Sequence, residues 1–194
     1  MKKYNNVLIF IFSLISVCFF VKDINIGAND RLLSDISIIL VFFLPRIFSK
    51  IFKFKISDNL ELTYIIFMIF AHFIGSIVNL YNTTWWYDLF MHFASGVATA
   101  ILALVILNWF NIYKKEKKVF NFLYMIMFVL LVASLWEFLE FGADTFLGMN
   151  VQHNIDTGVK DTMEDMLIAS LGCIIVSIVY LKTNIIDKIV NKIK

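Results

Sequence analysis

Six side chains carry most of the chemistry this sequence offers: Asp88 and His92, Glu137 and Glu140, Asp161 and Asp165. The first and third pairs are four residues apart and the second three, so on a helix each pair shares one face. Carboxylates gathered in this way are oxygen ligands for Mg²⁺, Mn²⁺ or Ca²⁺, and the imidazole would admit Zn²⁺ or Fe. A divalent metal cation held there can generate hydroxide from water or polarise a phosphoryl or acyl oxygen. In this reading Asp88, His92, Glu137 and Asp165 are the metal ligands. Glu140 and Asp161 are the carboxylates left for acid–base work.

Ordinary explanations compete with that reading. Asp88 alone suits a helix N-cap, and Asp161 with Glu164 fits a capping box. Asp144 extends the Glu137–Glu140 row and fits a solvated face. Glu137 has no such explanation, because its neighbours Trp136, Phe138 and Leu139 are bulky and apolar. His92 and Asp165 lie a turn inside their helices, beyond the reach of a cap. His72, with Gly75, Ser76 and Asn79, is expected to be a packed, hydrogen-bonded histidine.

Like charges must be relieved wherever they converge. Two unit charges ~4 Å apart repel by about 4 kcal/mol at an effective dielectric of ~20. Protonation, a bound cation or basic partners can offset that cost. Basic partners are scarce on this side of the chain, being only Lys22, Arg31 and Lys160.

The elements that position these groups must be membrane helices. The chain has 194 residues, is 60% hydrophobic and only 16% charged, against about 25% charged in soluble domains. Its apolar runs are long enough to span a bilayer, where backbone groups must satisfy one another within a helix. The alternation of a membrane β-barrel is absent. Spans are predicted at Val7–Val21, Leu32–Phe48, Leu62–Leu80, Leu89–Trp109, Val119–Phe141 and Met163–Leu181. The expected fold is all-α, a polytopic transmembrane helix bundle of about six spans forming a single domain over 1–194. Proline is expected to be absent from span interiors, and the first span to be an uncleaved helix. Cys18 and Cys173 lie in apolar runs and are read as packing residues.

Fourteen of the seventeen basic residues fall on one side of these spans, which places both termini in the cytoplasm. Trp85, Trp86 and Tyr87 mark the outer interface, and Trp109 and Tyr113 the inner one. Arg46, Lys50 and Lys53 recur at helical spacing after Pro45. That segment reads as an orientation signal, with a lipid-contacting amphipathic turn as its alternative. The connection from Gly142 to Lys160, with Gly148 and Gly158, is a candidate lid.

The expected location is a bacterial cytoplasmic membrane. Membrane lipid is the expected partner, a lipid headgroup or lipid-linked molecule the expected substrate, and no nucleic acid is expected. The rival readings are a cation- or proton-coupled transporter using the same carboxylates, and a packing or assembly subunit with a polar interface. Transporters favour midplane sites with broken helices and inverted repeats. Here neither is visible, and Glu137 lies about one to two turns from its helix end, on the order of 5–10 Å.

Three stretches carry a family resemblance: Asp88-x3-His92-Phe93-x2-Gly96, then Trp136-Glu137-x2-Glu140, then Gly148-Met149-x2-Gln152 leading to Asp161-Thr162-Met163-x-Asp165 and Leu171-Gly172. Together, over roughly Trp85 to Ile175, they resemble the YjdF-type family of small bacterial membrane proteins. That resemblance implies an integral membrane fold and names no reaction. A looser likeness is to VanZ-like proteins, some associated with glycopeptide resistance. The chain departs from their pattern in two places: Asp165 stands where asparagine is usual, and the arginine between the second and third motifs is missing.

Overall fold

The computed structural model describes residues 2–28, 32–53, 55–149, 151 and 159–193. Every regular element among them is a helix: α1 (Lys2–Ile26), α2 (Leu32–Phe52), α3 (Asp58–Met68) with a π-helical continuation Ile69–Ile77, the short α4 (Leu80–Thr83), α5 (Tyr87–Trp109), α6 (Lys118–Leu147), α7 (Lys160–Lys182) and α8 (Ile185–Ile193). Six of these segments are long and apolar enough to cross a membrane: α1, α2, Asp58–Ile77, α5, α6 and α7. Each expected span is therefore present as a helix. Contacts gather the chain into two compact units, Met1–Tyr87 and Asp88–Lys192.

The first unit packs Ile9, Ile38, Phe42, Ile65, Ile69, Phe73 and Ile77 into one apolar core. Phe73 is held edge-on by Phe12 and Phe19 of α1, with centroids 5.0 and 6.0 Å away. Polar groups are buried beside this core as well. Ser16 Oγ donates to the Asp35 carbonyl, and Asp23 is 1% exposed. His72, in the π-helical stretch, has its Nε2 3.0 Å from Ser37 Oγ and 2.9 Å from the Ser34 carbonyl. It is the packed, hydrogen-bonded histidine expected.

One expectation for α2 needs correction. Pro45 lies inside the helix, which continues to Phe52, so a proline does occupy a span interior. Arg46 does not fit the alternative of a lipid-contacting turn. Its Nε donates to Glu61 Oε1, and its Nη2 donates to Asn6 Oδ1 at 2.6 Å, while Lys50 and Lys53 stay exposed. Glu61, 6% exposed, draws the guanidinium inward. Arg46→Gln would leave Glu61 with Asn5 Nδ2 at 2.7 Å as its remaining side-chain donor. The Arg46 side chain is a third exposed, so the expected loss is about 1–3 kcal/mol, less than for a fully buried pair. Thermal unfolding in detergent measures it, and Arg46→Gln/Glu61→Gln should recover part of the loss.

The second unit is built on stripes at helical spacing. Asn121, Met125, Val129, Ala133 and Glu137 form the buried line of α6, four residues apart throughout. On α7 the corresponding line is Asp165, Ala169, Gly172, Cys173, Val176, Ser177 and Tyr180, and the two helices pack along each other. Where α5 meets α7, backbone approaches backbone. A Cβ at Gly96 would lie 2.0 Å from the Ala169 carbonyl oxygen, and one at Gly172 would lie 2.4 Å from the Phe93 carbonyl oxygen. Small residues permit this approach between membrane helices, as the Gly96–Ala100 spacing anticipates.

The expected lid begins later than the sequence indicates. Gly142 stays helical and α6 continues to Leu147. The helix stops at Gly148, whose φ of 67° is the left-handed conformation that ends helices. Residues 150 and 152–158 of that connection, Gln152 and Gly158 among them, lie outside the described residues, as does Arg31.

Candidate metal centre

Helix α5 opens at Tyr87, whose amide donates to the Thr84 carbonyl at 2.9 Å. Asp88 therefore sits within the first helical turn and not at the N-cap. One turn on, His92 Nε2 lies 3.5 Å from Asp88 Oδ1 and 3.6 Å from Asp165 Oδ2. These distances exceed the usual N–H···O hydrogen-bond length of about 2.9–3.0 Å. Ligand atoms from Asp88, His92 and Asp165 all lie within 4.8 Å of one another. Groups that share one cation at ~2.0–2.6 Å are separated by at most ~4–5 Å, so these three fit such a set with little adjustment.

Burial separates the roles of the carboxylates. Asp165 is 2% exposed, and its Oδ1 is buried without a hydrogen-bond partner. Such an oxygen carries a desolvation cost that a ligand would offset. Glu137 is 5% exposed, whereas its neighbours Phe138 and Leu139 are 68% and 67% exposed. The glutamate thus turns inward while its neighbours face outward to the surroundings. Glu140 is half-buried, and Trp136 Nε1 donates to its Oε1 at 2.6 Å.

Electrostatics ties the remaining residues to this centre. Asp165 interacts with His92, Asp88, Asp161 and Glu137, and Glu140 with Glu137, His92 and Asp88. All six residues singled out from the sequence therefore lie in one electrostatic cluster within the second unit. The three that converge at ligand distance are Asp88, His92 and Asp165. Glu137, Glu140 and Asp161 are not in that set.

The capping box does not form: Val159 holds the N-cap position of α7 without a side-chain bond, and Glu164 lies 3.5 Å from Lys160 Nζ, one turn back. Asp144 is not simply solvated, because its Oδ1 accepts the Val151 amide at 2.6 Å.

Sequence reading missed a second polar network in this unit. Asn121 Nδ2 donates to Tyr180 Oη at 2.6 Å and to the Lys114 carbonyl at 2.9 Å, and Tyr113 Oη donates to Asp187. Burial, then the bond to Asp187, pushes the Tyr113 phenol well above its ordinary range. The available signal was α8 itself, a short amphipathic helix whose Asp187 falls on the face of Ile186 and Val190.

A family described as predicted membrane protein (DUF2238) matches residues 6–184. No curated protein and no solved structure matches the chain.

Proposed function

We propose that this chain, which belongs to the DUF2238 family of predicted membrane proteins, holds a divalent cation on Asp88, His92 and Asp165 and uses it for chemistry on a lipid headgroup or lipid-linked substrate. The observation that carries this reading is the convergence of three ligand atoms within 4.8 Å on two helices, beside the partnerless Oδ1 of Asp165. Glu137, buried on α6 and within electrostatic reach of Asp165, is the fourth ligand of this reading. In the orientation given by the lysine-rich ends, the site faces the exterior of a bacterial cytoplasmic membrane, near headgroup depth.

The roles follow from placement. A cation in this set supplies Lewis acidity toward a phosphoryl or acyl oxygen and acidifies a bound water. Glu140, half-buried and oriented by the Trp136 indole, is placed to take a proton at Oε2. Asp161, in the first turn of α7, is the second carboxylate available for proton transfer. The rim of exposed Trp136, Phe138 and Leu139 can seat acyl chains while the headgroup reaches the carboxylates.

Metal analysis of detergent-purified protein tests the reading, with one divalent ion per chain as the expected result. Uptake should release protons, because cation ligands bind deprotonated. A chain that takes up no metal at saturating supply would remove the proposal. Ion-gradient-driven flux in proteoliposomes, abolished by Glu137→Gln, would replace it with transport.

A further inference from the structure

We propose that the lysine-rich end of the second unit binds the phosphate of an anionic phospholipid. A cavity of about 170 Å³ opens there, lined by Lys115, Lys118, Lys182, Thr183, Asn184 and Asp187 together with Tyr180 and Leu181. Its volume is below the ~300–1,000 Å³ typical of drug-sized ligands and suits a small anionic group. Three lysines against one aspartate leave its lining with a net positive charge. That aspartate is already engaged, since Tyr113 donates to one oxygen and Lys115 Nζ lies 3.4 Å from the other. Lys118 and Lys182 are thereby left to an incoming anion. Lys118 Nζ has a carbonyl, that of Leu181, at 3.5 Å.

The walls are fixed before any ligand arrives. Tyr180 and Asn121 are 2% and 0% exposed and hydrogen-bond each other. Lys115 Nζ donates to Asn184 Oδ1 at 2.7 Å, tying the α5–α6 connection to the start of α8. Preorganisation of this kind lowers the ordering cost of binding. Leu181, 45% exposed, gives the cavity wall apolar surface, and Ile185, next in sequence to the lining residue Asn184, is 55% exposed. A lipid can use that surface for its chains, whereas a free phosphate cannot. Basic pockets between membrane helices recognise anionic headgroups by this combination. The cavity is independent of the candidate metal centre, since Lys118 and Glu137 lie 19 residues apart on α6, or ~28 Å of helix.

The test compares dioleoylphosphatidylglycerol, dioleoylphosphatidylcholine and inorganic phosphate on the full chain in detergent, read by native mass spectrometry and thermal melting. The expected result is phosphatidylglycerol binding at least tenfold tighter than phosphatidylcholine. Lys118→Gln/Lys182→Gln should weaken it at least tenfold. Lys114→Gln/Lys117→Gln, an equal charge change outside the cavity, should leave it within about twofold, and Lys182→Arg in the parent should retain it. Equal affinity for the two lipids, or equal loss in the two double variants, overturns the proposal. Saturable stabilisation by inorganic phosphate with none by phosphatidylglycerol also overturns it, by assigning the cavity to a soluble anion.

Discussion

Asp165→Asn is expected to reduce bound divalent metal from one ion per chain to background, with at least a 100-fold loss of affinity. The substitution keeps the shape and removes the charge. Asp165 is the most buried of the three converging ligands, and an amide oxygen there is a neutral, weaker donor. Loss of a residue that merely supports a ligand costs about 10–100-fold in metal affinity, so loss of a charged ligand should cost more. Folding should survive, because removing a buried negative charge from a like-charged cluster relieves repulsion. Parent and variant should therefore differ in how metal affects their melting. At 100 times Kd a ligand stabilises by about 2.7 kcal/mol, and only the parent should show it. Asp144→Asn, which removes a carboxylate bonded to the Val151 amide, is the matching control and should keep its metal. Metal held equally by Asp165→Asn and the parent would place the ion elsewhere. Metal-independent melting in the parent, with collapse in both Asp165→Asn and Glu137→Gln, would favour a packing role.

The juxtaposition at this centre was legible because helices convert spacing into faces. Asp88 and His92 are stacked by one turn of α5, and the direction of successive spans brings the start of α7 to the same end. The exceptional setting of Glu137 could be read from its apolar neighbours, since only an inward-facing glutamate is tolerable among side chains so exposed. What local pattern could not show was partner choice across helices. The spacing of Arg46, Lys50 and Lys53 marks a basic face but could not show that Arg46 pairs with Glu61, fifteen residues away. Asn121, Tyr180 and Asp187 escaped notice for the same reason. Each looks unremarkable along its own helix, and the network exists only when three segments meet. Helix ends were misread where two glycines competed. Gly142 occupies helical backbone at no steric cost, and Gly148, at positive φ, provides the stop.

Gly96→Ala is expected to weaken metal binding markedly although no ligand residue is changed. The added Cβ would meet the Ala169 carbonyl oxygen at 2.0 Å and its Cα at 2.9 Å. These are backbone atoms of α7, so no side chain can swing aside. Ordinary C···O contact begins at ~3.3 Å, which requires α5 and α7 to separate locally by roughly 1 Å. His92 is one turn from Gly96, and Asp165 is one turn from Ala169. Their present separation of 3.6 Å would open toward the limit of a shared cation. Overpacking of this kind costs typically ~1–3 kcal/mol, and Gly96→Val should cost more than Gly96→Ala. Gly172→Ala strains the same crossing from the other helix, where the obstruction is the Phe93 carbonyl at 2.4 Å, and should behave alike. Gly142→Ala provides the contrast: its Cβ meets only Phe146, at 4.0 Å. Within a helix that change should be neutral or stabilise by up to ~1 kcal/mol, with metal retained. Metal stoichiometry and melting temperature across the four variants separate the causes. A Gly96→Ala chain that unfolds earlier yet binds metal as tightly as the parent would detach the helix crossing from the ligand set and move the cation site away from His92 and Asp165.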